Sequence, residues 1–456
     1  MVVVRSRRVV LAGGVRPAAV CVRDGVIVAI DDHAAPRGAG GDDEIDAGDR
    51  IVMPGVVDTH VHINDPGRAD WEGFETATRA AAAGGVTTLV DMPLDSIPST
   101  TDVEALTAKR RAASGQCHVD VGFWGGVVPG NVPSLDAIAG AGVRGFKCFL
   151  SPSGVDEFPH VTEADLRQAL PVLARLGLPL LVHAELPARL LEPAPGASRR
   201  SYRTWLESRP PDAEHAAIEL LAGLAREYAT WIHVVHVASG DAVPLLASAR
   251  AAGVRLTAET CPHYLTFAAE TIPDAATPFK CAPPIREQRH RDALWAALAA
   301  GALDLVATDH SPAPPAMKHL DDGDFVAAWG GIASLQLGLR AVWTAASARG
   351  IGIEVVSRWM SGAPARLAGL DGSKGTIAPG CDADLVIFDP DEESVVEPTA
   401  LCHHHPVTPY AGMRLRGRIC MTLLRGVVIY DEGRFPVLAR GREVAAAARP
   451  SARIAP

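Results

Sequence analysis

Three absences narrow the field. No apolar run approaches the roughly 18 residues that a membrane-spanning helix needs. The first residues show neither a signal-peptide apolar region nor a cleavage site, so a cytoplasmic chain with no membrane partner is expected. Positive charge is not in excess: 43 Lys and Arg stand against 53 Asp and Glu, a net charge of −10. That argues against nucleic acid held by phosphate neutralisation and against docking on an anionic membrane surface. The eight cysteines are scattered, with no CxxC pair and no dense framework, which points to reduced thiols rather than a disulfide scaffold. Internal repeats and extended low-complexity segments are missing too.

What the chain has is length and apolar content. Its 456 residues are 48% hydrophobic and 21% charged, enough for a large core. At roughly 150 residues per domain the length suggests two or three domains, although α/β barrels often exceed that size.

Residues 1 to 53 read as short strands, with Asp24-Gly25 as a hairpin turn and the Gly-, Asp- and Ala-rich stretch 36–48 as a loop. From Pro54 the texture changes: short β-branched runs alternate with Ala/Leu/Arg/Glu segments at helical period. Candidate strands lie at 55–63, 86–93, 118–128, 142–150, 179–185, 231–239, 253–262 and 303–311, with helical segments between them. This repetition predicts an α/β fold, a (β/α)8 TIM-like barrel over 54–365. Strand-like text returns near Asp384–Phe388 and Met421–Tyr430. Residues 1–53 and 366–440 are thus expected to build one smaller, β-rich, sandwich-like domain, with 441–456 as a frayed tail.

Histidine placement carries the chemistry. His60 and His62 close the first barrel strand, and residues two apart on a strand share a face, so both can point at one centre. Alone the pair is ambiguous between a metal half-site and two hydrogen-bonded core histidines. However, His183 and His236 also stand at strand ends, and Asp309 ends the last strand. In a barrel these ends open on one face, and buried polar groups without partners are costly, so a metal centre is the economical reading. Lys147 ends the fourth strand between apolar neighbours. It either reaches solvent or a carboxylate, or, if carboxylated, bridges two ions.

These signatures resemble the cyclic amidohydrolases, the group of dihydroorotases, hydantoinases and allantoinases. The resemblance runs from about residue 5 to 440 and includes Pro54-Gly55-Val56-Val57-Asp58-Thr59-His60-Val61-His62. It implies that His60 and His62 bind one metal, that His183 and His236 bind a second, and that Lys147 is an N6-carboxylysine bridging both. Asp309 would be ligand and general base/acid, and His233 is a weaker candidate than His236. It also implies two divalent ions per chain, zinc first, with Mn, Co, Ni or Fe suited to the same donors, and a homotetramer. Asn64-Asp65-Pro66-Gly67-Arg68, Glu259-Thr260-Cys261-Pro262-His263-Tyr264, Lys280-Cys281-Ala282-Pro283-Pro284-Ile285-Arg286 and Ala328-Trp329-Gly330-Gly331-Ile332-Ala333 resemble the allantoinase branch. On that branch the substrate would be a small cyclic ureide, allantoin, opened to allantoate.

Departures separate the siblings. Dihydroorotases usually carry an arginine two residues after the second metal histidine; here that residue is Asn64, which argues against an acidic ring substrate. Hydantoinases usually carry a tyrosine five residues after the bridging lysine, where this chain has Pro152. Asn64, Cys281, Ser311 and Gly331 are the candidate substrate contacts. The alternatives are a hydantoinase or dihydropyrimidinase and, from another class, a metal-free scaffold, which the filled ligand positions disfavour. His403-His404-His405, Cys261, His263 and Cys148 read as structural.

Overall fold

The computed structural model describes residues 1–35 and 43–446. β1 (Val2–Leu11) and β2 (Gly14–Arg23) are antiparallel, and β2 turns into β3 (Val26–Asp31) through Asp24 and Gly25. Both turn residues have positive φ, 52° and 84°, the left-handed pair that a two-residue hairpin of matching twist requires. Part of the expected loop 36–48 is a strand: β4 (Asp43–Asp46) lies parallel to β1, while 36–42 fall outside the described residues. β5 (Ile51–Pro54) follows, also against β1.

The eight expected barrel strands are all present. They are β6 (Val56–Val61), β7 (Val86–Asp91), a third strand in two pieces, β8 (Asp120–Phe123) and β9 (Gly125–Gly126), then β10 (Phe146–Phe149), β11 (Leu180–His183), β12 (Ile232–Val234), β13 (Leu256–Thr260) and β14 (Leu305–Val306). Neighbours pair in parallel in chain order. Helices cover the outer face, so the strands are buried on both sides and read as continuous apolar runs. The third strand breaks at Trp124, which is fully buried and donates its indole N–H to the Thr59 carbonyl at 2.9 Å. The ring closes where His62 N–H meets the His310 carbonyl at 2.8 Å. Local signals set the helix ends. In Glu163–Leu176, Thr162 and Asp165 form a capping box and Gly177, at φ 64°, terminates the helix.

β15 (Leu385–Val395), β16 (Arg414–Leu424) and β17 (Val427–Asp431) return to the first sheet, whose order is β17-β16-β15-β5-β1-β2-β3 with β4 also on β1. Val4, Val20, Val22, Val52, Leu385, Ile387 and Leu423 share its core. The β-rich unit thus comes from both ends, as one continuous sheet. Lys374 ties it to the barrel: Nζ lies 2.7 Å from Asp120 of β8, 2.8 Å from Asp382 and 2.6 Å from Asp384. The expected frayed tail is corrected over 441–446. Gly441 N–H donates to the Cys117 carbonyl, Val444 N–H to Val121 and Ala446 N–H to Gly142, so this stretch runs along the barrel; 447–456 lie outside the described residues.

Candidate active site

Parallel strands place all their C-terminal ends on one face, and the chemistry-bearing residues gather there. His60 lies in β6 and His62 just past it, Lys147 in β10 and His183 at the end of β11; His236 and Asp309 follow β12 and β14. The chain turns sharply at these ends, with φ of 42° at His236 and 47° at Asp309, a strained backbone of the kind found at functional sites.

His60 Nε2 is 3.1 Å and His62 Nε2 3.5 Å from Asp309 Oδ1. His60 Nε2 nevertheless has no hydrogen-bond partner. One ligand atom from each of His60, His62 and Asp309 lies within 4.8 Å of the other two. Opposite them, His183 Nδ1 and His236 Nε2 stand 3.0 Å apart, and the His60 and His236 rings are 5.4 Å apart between centres. Lys147 is fully buried, its Nζ without a hydrogen-bond partner and 4.9 Å from the Phe149 ring centre. An unpaired buried ammonium is unfavourable, and burial pushes the Lys147 amine down to about 8. Burial also lowers His60, His183 and His236, helped by the Lys147 charge. Neutral imidazole is the ligating form. Closely grouped imidazole nitrogens around an unpaired lysine fit divalent ions. His233 does not join them: its nitrogens face Thr257 Oγ1 at 2.9 Å and Glu259 Oε2 at 3.0 Å.

The sequence reading missed a layer of carboxylates behind these histidines. Glu259 Oε1 is 2.5 Å from His60 Nδ1, Asp95 Oδ2 is 3.0 Å from His62 Nδ1, and Glu185 Oε2 is 2.8 Å from His183 Nε2. Arg209 Nη2 in turn holds Glu185 at 2.6 Å. Burial pushes the Glu185 carboxyl up, but Arg209 and His183 outweigh it and hold the group well below the usual carboxylate range. For His62, burial is likewise outweighed by Asp309 and Asp95, which raise it to about 9, so a metal bound there would displace a proton. Such partners fix ring orientation and raise ligand basicity. The available signal was chemical: Glu259 sits in a strand between buried Ala258 and Thr260, where a carboxylate needs a partner.

A cavity of about 250 Å³ opens above the cluster, with Phe149, Trp205 and Trp329 among its walls. Cys281, Ser311 and Gly331 line it, and so does Pro152. Asn64 is not brought to the wall; it is buried, at φ 68°, and its side chain donates to the Pro312 carbonyl at 3.4 Å. The loop 326–331 is held by two buried lysines. Lys280 Nζ donates to the Val326 and Ala328 carbonyls, and Lys318 Nζ to those of Trp329 and Gly331. The triple histidine is structural in its contacts: His403 packs on the His310 ring at 4.9 Å and His404 N–H donates to Glu72.

A metal-assisted hydrolase site at the mouth of a (β/α)8 barrel is the class these features define. The Amidohydrolase family matches residues 51–429, and the chain belongs to that family. The chain is 53% identical to the allantoinase of Streptomyces avermitilis over 433 residues, 95% of this chain and 96% of that one. With the allantoinase of Arabidopsis thaliana it shares 42% identity over 450 residues, 94% and 88% of the two chains. Among solved structures, the L-hydantoinase (dihydropyrimidinase) of Arthrobacter aurescens superposes with a TM-score of 0.91 at 31% identity, covering 97% of this chain and 99% of that one. The family is metal-dependent, in keeping with the His/Asp cluster. Among the described residues no helix is long and apolar enough to cross a membrane.

Proposed function

We propose that this chain hydrolyses the cyclic amide of allantoin, opening the ring to allantoate. The observation that carries the substrate is the 53% identity to an allantoinase along almost the whole of both chains. The cluster of His60, His62, His183, His236, Lys147 and Asp309 under one cavity supports the reaction class.

His60 and His62 would hold one divalent ion and His183 and His236 the other, with Asp309 completing the first and a carboxylated Lys147 joining both. Zinc leads, and Mn, Co, Ni or Fe suit the same donors. When bound, the ions supply a water whose pKa is lowered from 15.7 toward about 7 and polarise the ring carbonyl. Asp309 accepts the proton of the attacking water and returns it to the departing ring nitrogen, acting first as base and then as acid. The ring C–N bond breaks, a C–O bond forms, and the new acid releases its remaining proton to solvent and leaves as a carboxylate. Glu259, Asp95 and Glu185 keep His60, His62 and His183 aimed. Phe149, Trp205 and Trp329 wall the substrate from bulk water, with Ser311, Cys281 and Gly331 as its contacts. Asn64 acts only through the 312 segment. Assembly as a homotetramer in the cytoplasm belongs to the same proposal. Sedimentation of the metal-loaded chain tests the assembly.

A second reading, action on 5-substituted hydantoins or dihydrouracils, is favoured by the likeness to the Arthrobacter hydantoinase. Measuring kcat/KM on allantoin, hydantoin and dihydrouracil decides between them. A preference for allantoin of about tenfold or more is expected, because groups built to contact the ureido arm lose those contacts with rings that lack it. A preference for hydantoin or dihydrouracil would move the substrate to that class.

A further inference from the structure

Cys261 and His263 stand beside Asp309 and have no part in the reaction above. We propose that Cys261 and His263, together with Asp309, which the first ion would also use, form an inhibitory site for a soft divalent cation, such as zinc in excess or cadmium.

One ligand atom from each residue lies within 4.8 Å of the other two, and all three residues are buried. The independent observation is His263. It is fully buried and neither ring nitrogen has a hydrogen-bond partner. A neutral imidazole brings one N–H and one lone pair, and leaving both unmet in the interior is unfavourable. Its neighbour does not relieve it: the Tyr264 ring contacts it edgewise at 4.2 Å, while the Tyr264 hydroxyl donates to the Pro283 carbonyl at 2.6 Å. A cation between the thiol and the ring would take up the free lone pair.

The donor set selects the ion. Thiolate and imidazole favour soft or borderline ions such as zinc and cadmium over manganese or magnesium. Binding exchanges one proton: the Cys261 S–H bond breaks, an S–metal bond forms, and the proton goes to solvent. Asp309 has two carboxylate oxygens, and Oδ1 faces His60 and His62. A cation on Cys261 and His263 draws the carboxylate to itself and removes its capacity to carry the proton. That inhibitory step rests on the role proposed for Asp309; the binding does not.

The test uses the full chain loaded with manganese and titrated with cadmium, reading metal content, ultraviolet sulfur-to-cadmium charge transfer and turnover. The wild-type chain is expected to take up one cadmium with a thiolate band, retain its manganese and lose turnover. Cys261→Ser is expected to lose the band, and His263→Gln, which keeps the thiol, to bind cadmium at least about tenfold more weakly, within the range known for lost ligand support. Cadmium that replaces manganese without a thiolate band would overturn the site, as would a band that persists in Cys261→Ser through Cys281 or Cys148, or no uptake at all. Because uptake and the band need no allantoin turnover, failure of the substrate assignment leaves this test intact.

Discussion

At the scale of single residues, Asp309 and the carboxylates behind the histidines make separable predictions. Asp309→Asn keeps the shape and removes the proton carrier. It is expected to retain most of its metal and to lose roughly 10²–10⁴-fold in kcat, checked by elemental analysis beside steady-state kinetics. Unchanged turnover would remove Asp309 from the role. Glu185→Gln acts one step back, loosening His183 and leaving Arg209 without its carboxylate partner. Metal affinity is expected to fall roughly 10–100-fold, measured by competition with a chelator; a variant that matched the native chain would show that Glu185 does not orient the ring. These two kinds of residue also mark where the sequence was legible. His60, His62, His183, His236 and Asp309 stood out because each closes an apolar strand. Glu185, Glu259 and Asp95 did not, because a carboxylate that acts through another side chain has no spacing of its own to betray it.

At the scale of elements, the strands of the barrel were readable because parallel strands buried on both faces become short β-branched runs between helices. Trp124 was not readable as a break, since an aromatic in an apolar run looks like more strand. Asn64 was placed at the substrate by its position after His62, whereas its positive φ turns the side chain to the Pro312 carbonyl. Backbone conformation of that kind leaves no periodicity to follow. The loop 326–331 is the element with the sharpest steric consequence. Gly331 has φ +111°, and a Cβ there would lie 2.3 Å from the Ser311 carbonyl oxygen. Gly331→Ala therefore has to displace one cavity wall. A loss of roughly 10²-fold in kcat/KM on allantoin is expected, the scale of an ångström-sized misplacement, with metal content unchanged. Native kinetics in that variant would mean that the wall does not contact substrate.

At the scale of the molecule, the barrel and the two-ended sheet are joined by charge as well as by apolar packing. Lys374 is buried among Asp120, Asp382 and Asp384, and Arg425 also reaches Asp120. Removing the ammonium leaves carboxylates buried without their main counter-charge. Lys374→Met is expected to cost about 3–5 kcal/mol, read as a lower urea midpoint, with kcat little changed in the folded fraction because the cluster is remote from the cavity. An unshifted midpoint would show that the junction does not depend on this ion cluster. The return of strand-like text after the barrel was legible as further strands, and β15, β16 and β17 join the first sheet. The closing stretch 441–446 was not, because what holds it is backbone hydrogen bonding to Cys117, Val121 and Gly142, to which an Ala- and Arg-rich composition gives no clue.

The central claim is that this chain opens allantoin with divalent metal held by His60, His62, Lys147, His183, His236 and Asp309. The direct measurement is allantoate release from racemic allantoin by protein reconstituted with divalent metal and bicarbonate, before and after a chelator. Steady release that the chelator abolishes and added metal restores is expected. Release that survives complete removal of metal would contradict the mechanism, and no release with two ions verified per chain would contradict the substrate.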